Sequence, residues 1–313
     1  MKPTLGVDLL SARLAIEDAD RFFVVAGWQQ AVTISLLNLL IALRRRFAIW
    51  TDTPNLDIRR SFQKATVRRL WLRYLFWGAT YVMGTGAPAL AALEQMGCRR
   101  EKLVNFPFFV DLENFRPEKS AKESVAPGRP LVFLSSGRLS NALKGYDLAI
   151  RALAVAGTRT NREYRYLIAG EGPDKAALQA LARSCGIESR VEFRGWLEPR
   201  ELSSFYRSGD IFLHPSQFDP FPNAVLEAMA SGLPIIGSDA AGSVVDRVVH
   251  GHNGFIHRCN NLEDLTAQLT CAMTNPAALA GMGREARATA ETWPASKAVA
   301  TLREIALPAS AEE

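Results

Sequence analysis

Two cations, Arg138 and Lys144, stand six residues apart, each beside a glycine (Gly137 and Gly145), just after the apolar run 131–134. If that run is a strand and Lys144 opens the helix that follows, both charges converge above one sheet edge. A diphosphate is a natural target for such a pair, because Arg offers a planar fork and Lys a point charge. Ordinary surface charge would look the same when taken alone. A second constellation covers 219–227. Pro222 at a helix start is preorganised for the first turn, and the open amides around Asn223 would face an anion or sugar oxygens. Glu227, one turn further on, is flanked by Leu226, Ala228, Met229 and Ala230. A buried carboxylate in that company needs hydrogen-bond partners, and vicinal ribose hydroxyls would suit it. An acid favoured by the helix dipole is the plainer reading. The four histidines, His214, His250, His252 and His257, do not make a metal site. His250-x-His252 lacks a third ligand at suitable spacing and reads as turn sequence, and His214 reads as a structural or cleft-edge residue at a strand end. No metal is expected.

Alternation of short apolar runs with helical periods must position these residues. Strands are expected at 22–25, 47–50, 81–83, 131–134, 166–169, 191–193, 211–213 and 234–236. Helices are expected near 28–43, 59–76, 87–97, 145–156, 174–185, 199–207 and 223–231. Buried strands of this length between helices predict an α/β chain with parallel sheets covered on both faces. In such sheets ligands bind at the carboxyl ends of strands, which is where the loops at 135–145, 170–173, 194–196 and 214–223 fall. The polar, proline-containing stretch 112–129 gives the best domain boundary. The domains are therefore expected at 1–117 and 130–292, with 118–129 as linker and 293–313 as a C-terminal helix and tail.

The chain has 313 residues, 48% of them apolar and 22% charged, which excludes disorder as the main state. Its four cysteines are far apart and form no CxxC, so a disulfide scaffold or zinc ribbon is not expected, and a reducing compartment fits. No signal peptide is expected, and the longest apolar run, 31–43, is too short to span a bilayer. Charge is uneven: residues 1–117 carry 16 basic against 10 acidic side chains, and the remainder 21 against 22. Within 41–80 the count is 9 against 2, interleaved with Trp50, Phe62, Trp71, Tyr74, Phe76 and Trp77. Such a stretch suits an anionic membrane surface, read here over 44–73, or else a core helix with a solvated Arg face; nucleic acid is disfavoured.

The order Gly-Arg…Lys-Gly, AGEGP, VEFRGWL, then HPS…Asp-x7-Glu-AMASGLP and a GxNG tail resembles the family-4 glycosyltransferases of the GT-B fold. The resemblance is strong over 131–257 and weaker over 21–116. It implies two Rossmann-like parallel-sheet domains facing a cleft, and retaining transfer of a sugar from a nucleoside diphosphate to a glycan or lipid-linked acceptor. It also implies a metal-independent mechanism without a cofactor and a role in cell-surface polysaccharide or glycolipid assembly. The cysteine pattern and the basic stretch 44–73 together place the expected site of action in the cytoplasm, peripheral on the inner face of the membrane. Residue by residue, Gly137, Arg138 and Lys144 match the donor-diphosphate site. Gly172 and Gly195, Trp196 and Leu197 match nucleotide-facing loops, and Phe221, Pro222 and Asn223 match the loop touching sugar and phosphate. Glu227 matches the ribose-binding glutamate, and Asp219 stands where the family has a glutamate contacting the donor sugar. With Arg138 and Lys144, Asp219 makes up the expected catalytic set.

Two departures go with the resemblance. No histidine precedes His214, so the family's N-terminal histidine has only Asp52 as a counterpart. The opening βα units of the acceptor-side domain are also not visible, so that domain is expected to be incomplete and to seek a dimer or partner contact through 1–60. A catalytically incomplete nucleotide-sugar-binding protein that needs a partner is the alternative reading.

Overall fold

The structure is a computed structural model describing residues 9–56, 58, 61–117 and 128–307. Most of the expected linker, the last residues of the tail, and residues 1–8, 57, 59 and 60 of the expected contact region lie outside the described residues.

The chain divides into two compact units, one running to Phe108 and resuming at Ala298, the other spanning Phe109–Lys297. The first holds a four-stranded parallel sheet in the order β1 (Phe23–Ala26), β2 (Phe47–Thr51), β3 (Tyr81–Gly84), β4 (Leu103–Asn105). The second holds a six-stranded parallel sheet built from β5 (Leu131–Ser136), β6 (Tyr164–Ala169), β7 (Val191–Gly195), β8 (Ile211–His214), β9 (Ile235–Ser238) and β10 (Gly254–His257). Its order is β10-β9-β8-β5-β6-β7. Both units are thus parallel α/β, as the sequence predicts.

Alternation along β5 shows how the second core forms. Leu131 and Phe133 join one apolar cluster with Leu153, Leu178 and Leu269, while Val132 and Leu134 join another with Val225, Met229 and Ala286. A period of two thus feeds helices on both faces, and no part of β5 remains for solvent.

The unit boundary falls earlier than the polar stretch suggests. Val110, Leu112 and Phe115 pack against the second core, and Arg287 donates to the Leu112 carbonyl at 3.1 Å. The helix Ala295–Ala306 straddles the other division: its later residues Leu302 and Ile305 pack with Ala48 and Met83 of the first sheet. Apolar burial, rather than the polarity of 112–129, sets both divisions.

Candidate active site

The strand order of the second sheet reverses between β5 and β8. Connections run outward from β5 to β6 and β7, then jump to β8 on its other side, leaving a crevice above the carboxyl ends of this pair. The loops that leave β5 and β8 are joined through their backbones. Gln217 N donates to the Leu143 carbonyl at 2.8 Å, and a Cβ on Gly145 (φ 62°) would strike the Pro215 carbonyl. Gly137 N donates to Ala169 O at 2.9 Å, and Gly170 N to Gly195 O at 2.6 Å. A side chain on Gly170 (φ 137°) would hit the Gly137 carbonyl, and one on Gly172 the backbone of Leu139. Glycine is required at these points because loop backbone meets loop backbone.

Lys144 closes the short helical turn Asn141–Lys144, and the next helix, Tyr146–Thr160, begins beyond the left-handed Gly145. It therefore stands two residues before the helix that the sequence expects it to open. Its ammonium pairs with the Asp219 carboxylate. The same Asp219 oxygen lies 3.2 Å from His214 Nε2, which in turn lies 2.9 Å from Ser216 Oγ. His214, Ser216 and Asp219 are all buried. Burial depresses the His214 pKa, so its ring is neutral near pH 7. Burial pushes Asp219 upward, but the His214 hydrogen bond and the Lys144 charge outweigh it and the net shift is downward. Asp219 is thus held as an anion, with Lys144 as its counter-charge. Its backbone is fixed as well, accepting from Gly242 N at 2.9 Å and donating to Ala240 O at 3.2 Å.

Arg138 is exposed just beyond β5; its carbonyl accepts from Ser140 N at 2.9 Å, while its side chain makes no hydrogen bond or ion pair among the described residues. Phe221 is buried beneath the guanidinium of Arg247, 5.8 Å from its ring centroid, and the same guanidinium stacks on Trp293 at 3.9 Å. Pro222 is the N-cap of the helix Asn223–Ala230 and supplies no side-chain cap; Val225 N turns back to the Pro222 carbonyl at 3.3 Å, while the amides of Ala224 and the exposed Asn223 stay open among the described residues. Glu227, half-buried in that helix, accepts from Tyr206 OH at 2.7 Å, and Tyr206 OH lies 2.8 Å from Ser136 Oγ at the end of β5. Burial raises the Glu227 pKa, with the Tyr206 bond opposing that rise. Burial also holds the Tyr206 hydroxyl well above its ordinary value, so it keeps its proton and donates.

The structure therefore gathers Gly137, Lys144 and Asp219 around the β5/β8 crevice and ties Glu227 to the end of β5. Gly172 and Gly195 sit on the neighbouring β6 and β7 loops, Gly195 facing Glu171 with an added Cβ 3.1 Å from Oε1. Leu197 is half-buried against the second core, whereas Trp196 is 71% exposed beyond the edge strand β7. His250 and His252 diverge: the first accepts from Ile256 N at 3.1 Å, the second faces Glu285 at 3.3 Å. Among the described residues no three His, Cys, Asp or Glu side chains gather as a metal site. Asp52 accepts from Thr85 Oγ1 at 3.5 Å in the first unit. Sequence reasoning missed Tyr206 as the partner of Glu227 and Ser136 as the partner of Tyr206, because the fold brings them together from different strands and helices. Ser216 stands in the HPS motif itself, but its bond to His214 is not readable from that motif.

The family model described as "Glycosyl transferases group 1" matches residues 117–289, more than half of the chain, including the whole β5/β8 site. The chain belongs to that family. A glycosyltransferase of Haemophilus influenzae, itself uncharacterized, is 31% identical over 57% of this chain and 49% of its own length. D-inositol 3-phosphate glycosyltransferase of Nocardia farcinica is 32% identical over 66% of this chain and 47% of its own. The chain thus spans about half the length of the curated relatives it matches. Anabaena Alr3699/HepE, solved in complex with UDP, shares the fold with a TM-score of 0.77 at 18% identity, over 95% of this chain and 81% of that one. The two-sheet architecture is therefore that of the GT-B glycosyltransferases, as the motif order implied.

Proposed function

We propose that this group 1 glycosyl transferase moves a sugar from a nucleoside diphosphate to a glycan or lipid-linked acceptor, with retention at the anomeric carbon. The observation that carries this reading is the Lys144–Asp219 pair at the β5/β8 switch, with the exposed Arg138 on the same loop after β5. Lys144 has three donors and spends one on Asp219. The other two can reach a diphosphate while the pair also fixes the acid facing the sugar. Arg138, Lys144 and the open amides at Asn223 form a preorganised positive edge for the leaving group, the term that matters most when charge develops on phosphate. The UDP bound by Anabaena HepE supports a donor of this class.

In this scheme the bond from the anomeric carbon to the phosphate oxygen breaks through an oxocarbenium-like state, its electron pair leaving on the diphosphate. The acceptor hydroxyl forms the new bond on the same face, and the departing phosphate oxygen beside it takes the proton. Asp219, kept anionic, steadies the positive charge on the sugar. Glu227 uses Oε2 on Tyr206 and has Oε1 for a ribose hydroxyl. The scheme uses no cofactor, and Arg138 and Lys144 carry the charge stabilisation that a divalent ion could supply.

The test is titration of the purified chain with UDP- and GDP-sugars, followed by incubation with acceptors and analysis of the anomeric product. Binding with transfer and retention is the expected outcome. Binding without transfer to any acceptor would favour the partner-dependent binding protein. Absence of binding to both nucleotides would overturn the donor site.

A further inference from the structure

We infer that the outer face of the helix Phe62–Gly78 is a docking surface for an anionic membrane. The helix seats one face in the first core through Leu72, Leu75 and Phe76. Its opposite face is also apolar: Trp77 is 73% exposed, and Val67, Leu70 and Tyr74 are exposed as well, while Phe62, 85% exposed, opens the helix in line with Arg69 and Arg73. At 3.6 residues per turn, Leu70 and Trp77 fall between a row formed by Arg69 and Arg73 and a row formed by Val67 and Tyr74, with Lys64 beyond the second. Cations therefore border an apolar stripe on both sides.

The surrounding positive charge is not all available, and the structure sorts it. Arg45 donates to the Ala15 and Ile16 carbonyls that end the helix Leu9–Glu17. Arg46 donates to the carbonyls of Ile305, Ala306 and Leu307. Lys102 is spent on the carbonyls of Phe76, Trp77 and Ala79 at the end of the docking helix itself. Arg44, Lys64, Arg69 and Arg73 remain exposed, and their side chains have no partner among the described residues. No Asp or Glu occurs in the sequence between Asp57 and Glu94, so nothing on this helix offsets them.

This chemistry selects the occupant. Phe, Leu and Val side chains seat at the acyl boundary, Trp and Tyr at headgroup level, and Arg and Lys stems extend toward lipid phosphates. A nucleic acid would gain nothing from Val67 and Leu70, which offer no ring for a base to stack on. A second copy would set Arg against Arg across a two-fold axis, with no acid to relieve them.

The experiment is co-sedimentation of the full chain with phosphatidylcholine vesicles and with vesicles enriched in phosphatidylglycerol, at low and high salt. Binding only to the anionic vesicles, lost at high salt, is expected. Arg69→Glu with Arg73→Glu should weaken it by ~10-fold or more. Phe62→Ser with Trp77→Ser should abolish it, while both double variants keep the wild-type unfolding transition, because all four side chains lie off the core. Trp77→Phe should remove most of the fluorescence quenching by brominated lipid. The inference is overturned if the wild type ignores anionic vesicles at low salt, or if the charge reversals change nothing. It is equally overturned if the chain sediments as a dimer that Phe62→Ser and Trp77→Ser dissolve, or prefers an oligonucleotide to the vesicles.

Discussion

The two sheets are both parallel and helix-covered, yet they offer ligands different things. In the first, the strands run β1-β2-β3-β4 without reversal, so no crevice opens between diverging connections among the described strands. In the second, the reversal between β5 and β8 splays the loops apart, and glycines then draw them into backbone contact. The second unit thus concentrates its chemistry at a strand edge, in buried and paired polar groups. The first presents its chemistry on a helix surface, in exposed apolar side chains beside unpaired cations. Order of strands, more than residue content, decides which unit opens a crevice at its strand ends.

The largest effect should come from removing a cation at the crevice. Lys144→Ala or Arg138→Ala is expected to cut transfer by ~10²-fold or more, the scale for losing one oxyanion donor, with weakened UDP or GDP binding read by calorimetry. Equal affinity in both variants would dissolve the contrast between the units. Next comes a matched pair of glycines with positive φ, Gly145 at 62° and Gly27 at 74°. Gly145→Ala collides with the Pro215 carbonyl, whereas Gly27→Ala meets nothing within 4 Å. Gly27→Ala should cost about 1 kcal/mol from the left-handed conformation alone, and Gly145→Ala markedly more, both measured by urea unfolding.

Acid should expose the difference again. His214 and His257 of the second unit are depressed mainly by burial. A histidine whose folded pKa lies below its unfolded value leaves the unfolded state binding more protons, so stability falls as pH drops through the unfolded value of ~6.5. Asp219, shifted downward, adds its own loss at lower pH, below the ordinary Asp value. His214→Gln with His257→Gln should flatten the first of these phases in pH-dependent thermal unfolding. The smallest effect concerns Glu227. Its raised pKa makes the charged form a burden on folding above that pKa, relieved as pH falls from there to the ordinary Glu value. Glu227→Gln should therefore raise the unfolding midpoint at neutral pH, with the gain vanishing in acid. The same substitution should weaken UDP or GDP more than pyrophosphate.

Much of this was readable from the sequence, and what was not has physical reasons. Strand positions in the second unit follow from apolar runs that nothing else explains. β10 escaped because glycine opens it and histidine ends it, although Gly254 is needed where its Cβ would meet the Ile235 backbone. β4 escaped because its three residues are only half-buried, and its Asn105 is spent on Gly86 N at 3.1 Å. Arg138, Lys144 and Glu227 were legible as types at a spacing. The Lys144–Asp219–His214 chain was not, since a sequence shows charges but not which of them will be buried together. The basic stretch was legible as charge and aromatic content, but the division into capping and unpaired cations depends on where helices end.

The helix Ala295–Ala306 brings one more consequence, in the order of synthesis. Its Leu302 and Ile305 cover Ala48 and Met83, and its last carbonyls receive Arg46. The first sheet therefore leaves the ribosome earliest and is finished last, after the whole second unit has been made. Until then one side of β2 and β3 waits uncovered. A chain released before that helix would retain every group of the β5/β8 crevice and still carry an open apolar flank, ready for a chaperone or for aggregation.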